Sequence, residues 1–223
     1  KPSSSNFSKY TNNIVKSHFS FTAETHNFPT GVAPFQGATT GIGGRIRDNL
    51  AIGRGGTLIA STAGYCVGDI FTNENAIKIE IDASNGSSDY GNKIGEPIIQ
   101  GFTRSFGQTI NNTRYEWIKP IMFTGGIGQV LDYNLIKEKP RQGLLITRIG
   151  GPAYRIGLGG GSSSSRENDE KNIETDLSAV QRGDPEMGNR LNHFVRSCVE
   201  LGKDNPILSI HDQGAGGTGN VTK

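Results

Sequence analysis

Residues 184–212 read DPEMGNRLNHFVRSCVELGKDNPILSIHD and combine a strong helix signal with the apolar stretch that follows it. Asp184 suits the N-cap position, Pro185 suits the first helical position, and Gly202 suits the residue just past the end. The sequence therefore predicts a helix from Asp184 to Gly202. Its apolar residues recur every three or four positions and so share one face: Met187, Leu191, Phe194, Cys198 and Leu201.

Beyond this helix, residues 207–212 (ILSIHD) predict a strand that runs into the glycine cluster at 213–219 (QGAGGTG). Residues 144–149 (LLITRI) are apolar on both faces, which is typical of a buried parallel strand. Strands that alternate with helices and end in polar residues indicate an α/β fold. Asp212 would then lie at the carboxyl end of its strand, where such folds bind ligands.

The earlier part of the chain predicts a sheet. Alternating residues from Phe19 to Glu24 indicate a half-buried strand, which Pro29 ends. We expect further strands at 57–67, 77–82, 97–106 and 115–124, and a tight turn at 125–128. Residues 1–16 are polar and predict a linker or frayed arm. The chain thus divides into that arm, an N-terminal unit at 17–140 and the start of a C-terminal unit at 141–223.

Composition narrows the functional classes. The 223 residues carry 23 Lys and Arg against 21 Asp and Glu without any basic run, which argues against a nucleic-acid-binding protein. Cys66 and Cys198 are too few and too distant for a disulfide scaffold and fit a reducing compartment. No apolar run reaches transmembrane length, so we expect a cytoplasmic protein with no membrane partner. The 32 glycines, about twice the usual share, indicate close backbone approach or many positive-φ turns.

Glu24 and His26 are the first candidates for chemistry. Two residues apart on a strand, they lie on one face. A carboxylate and an imidazole on one face can bind a metal ion and move a proton. The alternative is a surface Glu24 and a His26 that hydrogen-bonds in the turn before Pro29. Spacing alone favours that alternative.

The glycine cluster at 37–48 (GATTGIGGRIRD) is the second candidate. Its glycines would expose backbone N–H groups that can cradle phosphate, and its arginines add positive charge. Asp48 could hold Mg²⁺. The stretch lacks the GxxxxGK[ST] pattern of a P-loop, and a glycine-rich turn between strands explains it equally well.

The cluster at 214–219 (GAGGTG) matches the G-x-G-x-x-G pattern of dinucleotide-binding folds, but a lone match is weak. Asp212 precedes it, and a carboxylate would repel a pyrophosphate unless a cation lay between them. Asp212 therefore favours a Mg²⁺–phosphate site over a bare dinucleotide turn. An aspartate that only caps a turn is about as good an explanation.

Several longer strings together resemble the phosphoribosylformylglycinamidine synthase family. They are residues 21–48, 79–97 (IEIDASNGSSDYGNKIGEP), 116–128 (EWIKPIMFTGGIG), 149–165 (IGGPAYRIGLGGGSSSS), 180–187 (VQRGDPEM) and 205–221 (NPILSIHDQGAGGTGNV). They follow the order of the family, and the resemblance is to the large glutamine-dependent form. Between Gly68 and Asp82 this chain is shorter than the family pattern.

The resemblance implies an AIR synthetase-like fold, α/β in class. An N-terminal sheet would form a barrel with a second related domain, and a truncated C-terminal α/β subdomain would follow. It also implies an ATP-dependent ligase of purine biosynthesis, which converts formylglycinamide ribonucleotide to the amidine through an iminophosphate. The implied partners are that second domain and a glutaminase domain that supplies ammonia. Two alternatives stay open: another ATP-using member of the superfamily, and a nucleotide-binding or structural fragment without activity.

Site residues follow from the same resemblance. His26 corresponds to the catalytic histidine, and Glu24, Asp48 and Asp212 correspond to Mg²⁺ ligands. Arg47 and Gln181 correspond to substrate contacts. The ATP-binding residues would be Gly37, Ala38, Thr39, Thr40, Gly41, Ile42, Gly43, Gly44, Arg45, Ile46, Arg47 and Asp48, with a second nucleotide contact at Gln100, Gly101 and Phe102.

Overall fold

The computed structural model of this chain describes residues 12, 14–151, 176–178, 180, 183–214 and 217–221. Within these ranges, no helix has the length and apolar character needed to cross a bilayer. The glycine- and serine-rich stretch after Gly151, the charged segment 166–175 and Gln181 lie outside the described residues. The boundary that we placed at 140/141 stays a prediction.

A four-stranded sheet forms the centre of the N-terminal unit. Its strands are β1 (Ser17–Thr25), β2 (Thr57–Val67), β3 (Ile98–Ser105) and β6 (Ile121–Leu131), in the spatial order β1-β6-β2-β3. A hairpin of β4 (Gly107–Ile110) and β5 (Thr113–Glu116) stands apart. The predicted strand at 115–124 is therefore wrong in its bounds, because residues 117–120 separate two strands.

Helices cover one face of this sheet. They are α1 (Asn27–Val32), α2 (Pro34–Leu50) and α3 (Glu74–Ile94), and α4 (Pro185–Glu200) packs against them. A short α5 (Gly217–Val221) follows near the end of the chain. The layered arrangement agrees with the α/β class. The core between helices and sheet includes Ala38, Ile42, Ile46, Leu50, Ala63, Tyr65, Ala83, Tyr90, Ile94, Met122, Val195 and Val199.

Strand β1 turns its polar side toward the helices and leaves its apolar side open. Phe19 is 72% exposed and Phe21 is 76% exposed, whereas Ser20, Thr22 and Glu24 are half-buried. Ser20 donates a hydrogen bond to Asn49 of α2 at 3.0 Å. The polar side of β1, which includes Glu24, therefore faces the candidate site. The apolar side is a surface of the sheet that no described residue covers.

The predicted strand at 77–82 is wrong, because these residues lie inside α3. Asn73 caps the helix by accepting hydrogen bonds from the backbone N–H groups of Asn75 and Ala76. The alternation of isoleucines that suggested a strand coincides with a helical spacing of three and four between buried residues, for example Ala76, Ile79 and Ala83. Helix α3 connects the parallel strands β2 and β3, a connection for which a crossover helix is usual.

The predicted tight turn at 125–128 is also wrong, because these glycines lie in the middle of β6. Gly126 leaves room for the guanidinium of Arg45, with which any Cβ at this position would collide. Gly128 likewise lies close to Ser20 and to the carbonyl of Thr57. These glycines serve close packing rather than a change in chain direction.

Helix α4 confirms the predicted caps. Asp184 accepts a hydrogen bond from the N–H of Met187 at 3.1 Å, and Gly202 has a φ of +71°. The buried face is rotated from the predicted one, since Val195 and Val199 pack against Gly55 while Phe194 and Leu201 are exposed. Cys198 is buried, as predicted.

Residues 144–149 and 207–212 do not form the predicted strands. Leu145 and Ile146 are each 93% exposed, and a parallel strand is stable only when neighbouring strands pair with it. No strand among the described residues pairs with either segment. Residues 207–212 instead form hydrogen bonds with Arg47, with the turn at 53–54 and with Glu138.

Candidate functional site

The glycine cluster at 37–48 is neither a phosphate-cradling loop nor a turn, because it lies within α2. Pro34 occupies the first turn, where its missing N–H is tolerated. The backbone N–H groups beyond the first turn bond within the helix. They are therefore unavailable to a phosphate, and both of our predictions for the local structure of this stretch are wrong.

The glycines of α2 allow Glu24 of β1 and His26, which follows β1 as the N-cap of α1, to lie directly against the helix backbone. Gly37, Gly41 and Gly44 follow the i, i+4, i+7 spacing of one helix face. A Cβ at Gly41 would lie 2.9 Å from the Cβ of His26, and a Cβ at Gly44 would lie 2.9 Å from Oε1 of Glu24. This glycine face thus holds the two residues that the sequence singled out at the end of β1.

His26 has a defined orientation. Its Nδ1 lies 2.6 Å from the carbonyl oxygen of Gly37, and its backbone N–H donates to the carbonyl of Met122 at 2.8 Å. Because a carbonyl only accepts, Nδ1 carries the proton and Nε2 keeps its lone pair in the neutral ring. Burial lowers the pKa of His26, and the nearby Arg47 lowers it further. The ring is therefore a neutral acceptor at Nε2.

Glu24 and Asp48 lie in each other's electrostatic field. Burial raises the pKa of Glu24 to about 7, and the carboxylates of Asp48 and Asp212 contribute to the increase. Burial also raises the pKa of Asp48, again with a contribution from Asp212. Glu24 and Asp48 therefore lie in a region of low solvation close to the carboxylate of Asp212.

Arg47 supplies part of that positive charge. Its Nε donates to Oδ2 of Asp212 at 3.0 Å, although the two residues are 165 positions apart. The other oxygen of Asp212 accepts from the N–H of Gly214 at 2.6 Å. The side chain of Arg47 is 37% exposed, so its remaining N–H groups can reach a ligand.

The three carboxylates suit a divalent cation in chemistry but are not collected into a ready-made metal site. No group of three His, Cys, Asp or Glu side chains among the described residues has metal-binding geometry. Carboxylate oxygens are the ligands that Mg²⁺ prefers, together with phosphate oxygens. Burial, followed by the charge of neighbouring carboxylates, raises the pKa of Glu24 and of Asp48, and a bound cation would favour the ionised form of both side chains.

Most side chains of residues 37–48 are unavailable to a ligand. Only Gly44, Arg47 and Asp48 in this stretch are appreciably exposed. Arg45 is fully buried, where it forms an ion pair with Glu96 and donates to Thr124. Its charge is therefore neutralised inside the protein, and our expectation that Arg45 adds positive charge to a phosphate site is wrong.

The predicted second nucleotide contact lies elsewhere. Gln100, Gly101 and Phe102 belong to β3, at the opposite edge of the sheet from β1. Three strand spacings, roughly 14 Å, separate the two edges. Gln100 and Gly101 instead line an open groove of about 330 Å³ with serines of α3. The structure does not bring them together with Glu24 and His26.

Two residues that contribute contacts in this region were not identified from the sequence. Glu96 is buried against Arg45, and Arg54 bonds the backbone before Asp212. Glu96 stands between Gly95 and Pro97 in a string that carried the family resemblance, but nothing local reveals its partner 51 residues earlier. The G-x-G-x-x-G pattern loses support, since residues 207–212 before it form no strand.

Comparisons with known proteins identify relatives of this chain. A family described as AIR synthase related protein, C-terminal domain, matches residues 141–223. The phosphoribosylformylglycinamidine synthase of Dictyostelium discoideum is 58% identical over 91% of this chain, and the human one is 52% identical over 92%. The chain spans only 16% and 17% of the length of these two relatives.

Among solved structures, Thermotoga maritima PurL complexed with FGAR is 25% identical with a TM-score of 0.51, over 85% of this chain and 29% of that one. The same protein complexed with ATP is 24% identical with a TM-score of 0.52, over 85% of this chain and 26% of that one, which bears on the fold alone. More than half of the aligned residues of this chain are identical to those of the two curated relatives, so the chain belongs to the phosphoribosylformylglycinamidine synthase family.

Proposed function

We propose that this chain forms part of the catalytic centre for ATP-dependent amidine synthesis on formylglycinamide ribonucleotide. One observation carries the proposal. Glu24 from β1, His26 from just beyond β1, Arg47 and Asp48 from α2, and Asp212 from beyond α4 are brought into one electrostatically coupled region. Acidic, imidazole and guanidinium groups in one place match the needs of phosphoryl transfer.

In the proposed reaction, the amide oxygen of the substrate attacks the γ-phosphorus of ATP and ADP leaves. The product of this step is an iminophosphate. Ammonia then adds to the carbon of the former amide. Phosphate leaves with the former amide oxygen, and loss of a proton gives the neutral amidine. Glutamine hydrolysis in another domain of the complete protein supplies the ammonia.

Glu24, Asp48 and Asp212 would hold Mg²⁺ between them and the phosphates. A bound Mg²⁺ neutralises charge that develops on the transferred phosphoryl group. The N–H groups of Arg47 that Asp212 leaves unused would contact an anionic oxygen of the substrate or nucleotide.

His26 would accept a proton at Nε2. With Nδ1 committed to the Gly37 carbonyl at 2.6 Å, only Nε2 is available to a reacting group. Burial keeps the ring neutral, which is the form that a general base needs. We assign to it the proton that the attacking nitrogen loses.

Gln181 as a further substrate contact and Gln100–Phe102 as a separate nucleotide contact stay part of the proposal. The open apolar side of β1, with Phe19 and Phe21, suits the second AIR synthetase-like domain. A reducing compartment such as the cytoplasm fits Cys66 and Cys198, which are both free thiols.

Calorimetric titration of ATP tests the proposal. Binding should require Mg²⁺, disappear with EDTA, and weaken on Asp48→Asn or Glu24→Gln. NAD should not bind. Metal-independent binding of NAD, or ATP binding unaffected by both substitutions, would contradict the assignment of this site.

A further inference from the structure

The segment that carries Asp212 is held by the turn that follows α2. Residues 205–210 have no strand partner among the described residues. The guanidinium of Arg54 donates from Nε to the carbonyl of Ile207 at 2.8 Å and from Nη2 to the carbonyl of Asn205 at 2.7 Å. The N–H of Ile210 then donates to the carbonyl of Gly53 at 3.2 Å. The last of these bonds lies two residues before Asp212.

Further bonds make this attachment reciprocal. The side-chain amide of Asn205 donates to the carbonyl of Arg54 at 2.9 Å and to Oδ1 of Asn134 at 3.1 Å. Arg54 also forms an ion pair with Glu138 at 3.2 Å, and its side chain is only 12% exposed. A buried guanidinium with several acceptors holds its partners in a fixed geometry.

The turn itself is fixed in place. Gly53 has a φ of +57°, and a Cβ there would collide with the carbonyl of Asn134. The N–H of Arg54 donates to that same carbonyl at 2.7 Å. Since α2 ends at Leu50, the turn is also joined directly to the helical turn that presents Arg47 and Asp48.

We propose that Arg54 is a positioning residue for Asp212. It holds the backbone at 205–207 against the end of α2 and so places the Asp212 carboxylate opposite Glu24 and Asp48. The inference rests on the proposed function, because it takes Asp212 as a ligand of the cation that accompanies the nucleotide.

The Arg47–Asp212 ion pair cannot replace this attachment. It is partly exposed, at 37% and 15% for the two side chains. Partly exposed ion pairs contribute too little to order a segment of eight residues on their own. Without the Arg54 guanidinium, the bonds of Asn205, Leu208 and Ile210 remain, but the backbone at 205–207 loses two of its acceptor contacts, so Asp212 is placed less precisely relative to the other two carboxylates.

The test measures metal binding rather than turnover. Mn²⁺, as a spin probe for Mg²⁺, is titrated into the full-length protein with a non-hydrolysable ATP analogue, and bound metal is counted by electron paramagnetic resonance. Arg54→Met should weaken Mn²⁺ binding about tenfold or more, as loss of an outer-shell partner commonly does. Arg54→Lys should give an intermediate loss, since an ammonium keeps the charge beside Glu138 but cannot bond both carbonyls.

Asn189→Ala is the matched control. Asn189 tethers α4 to α3 through a 2.9 Å hydrogen bond to the carbonyl of Lys93 and does not touch the Asp212 segment. This variant should lower the unfolding midpoint and leave Mn²⁺ binding unchanged.

The outcomes distinguish a failure of the role of Arg54 from a failure of the metal assignment of Asp212. If Asp212→Asn weakens Mn²⁺ binding but Arg54→Met or Arg54→Lys binds Mn²⁺ like the wild type, Arg54 is only structural and the inference fails. If Arg54→Met does not fold, Arg54→Lys decides. If Asp212→Asn binds Mn²⁺ normally, the metal assignment of the proposed function fails, and the role of Arg54 with it.

Discussion

The Nδ1 atom of His26 lies 2.6 Å from the carbonyl oxygen of Gly37, one residue at the end of β1 and the other in the first turns of α2. A side chain at Gly37 would collide with the backbone of Pro29. Only glycine at this position therefore allows α2 to pack this closely against α1. The same approach fixes which ring nitrogen of His26 is free. Steric fit and proton chemistry thus depend on one contact.

His26→Asn should separate the two roles of this contact. The asparagine amide can still donate to the Gly37 carbonyl, whereas nothing replaces Nε2. We expect unchanged nucleotide binding and a loss of kcat of about a hundredfold or more. His26→Ala should in addition lose about 1 kcal/mol of stability, because the hydrogen bond is gone. Steady-state kinetics and urea unfolding measure these effects, and normal turnover in either variant rules out His26 as the base.

Gly41→Ala should disturb the site through packing. Its Cβ would lie 2.9 Å from both the Cβ of His26 and the Sδ of Met122. Such overpacking costs roughly 1–3 kcal/mol, even though alanine favours helices. Thermal unfolding measures the loss, with Gly151→Ala as the control because nothing lies within 4 Å of its Cβ. A Gly41→Ala protein as stable as the wild type would show that His26 does not lie on this glycine face.

The buried pair of Arg45 and Glu96 should be costly to break on one side. Arg45→Met would leave the Glu96 carboxylate buried without its partner, and we expect a loss of about 3–5 kcal/mol. Arg45→Met combined with Glu96→Met should cost much less than the sum of the single changes. A double-mutant cycle by denaturant unfolding measures the coupling. The exposed pair of Arg190 and Glu186 should show a coupling of about 0.5 kcal/mol or less.

Glu24 should make the stability of the metal-free protein depend on pH. Its pKa of about 7 in the folded protein exceeds the ordinary value of 4.5. Its protonated form therefore stabilises the fold fully below the ordinary value, and that contribution is lost as pH rises through about 7. Glu24→Gln mimics the protonated form and should match the wild type near pH 5 but exceed its unfolding midpoint near pH 8.

Added Mg²⁺ should reduce the advantage of Glu24→Gln near pH 8, because a bound cation favours the ionised carboxylate. Glu186→Gln on the surface of α4 serves as the control and should show no such pH-dependent difference. A wild-type protein whose stability relative to Glu24→Gln does not change with pH would mean that Glu24 is well solvated.

Sequence patterns identified elements whose signals are local. Strand β2 has the predicted bounds, and α4 begins at the predicted cap on Asp184. Patterns failed where distant contacts decide the structure. The local pattern at Gly126 predicts a turn, but the glycine is required by the packing of Arg45 against it. The pattern of residues 207–212 predicts a strand, but none of the described strands pairs with them.

The candidate site shows the same division. The position of Glu24 on the helix-facing side of β1 was readable from the sequence, whereas His26, which we expected on the same strand face, lies beyond the end of β1 as the N-cap of α1. The helical state of 37–48 was not readable, because glycine is a poor helix former. The residues that require glycine there, such as Glu24 and His26, are distant in sequence. The bonds of Arg54 to residues about 150 positions away leave no local trace.

The glycine face of α2 also bears on how this region folds. Four glycines at positions 37, 41, 43 and 44 reduce the intrinsic helix stability by about 1 kcal/mol each relative to alanine. A peptide of residues 34–50 would therefore be largely unstructured in water. The helix therefore depends on tertiary packing against α1, α3, β6 and β1, so Arg47 and Asp48 acquire their places in the same cooperative step that brings Glu24 and His26 to theirs.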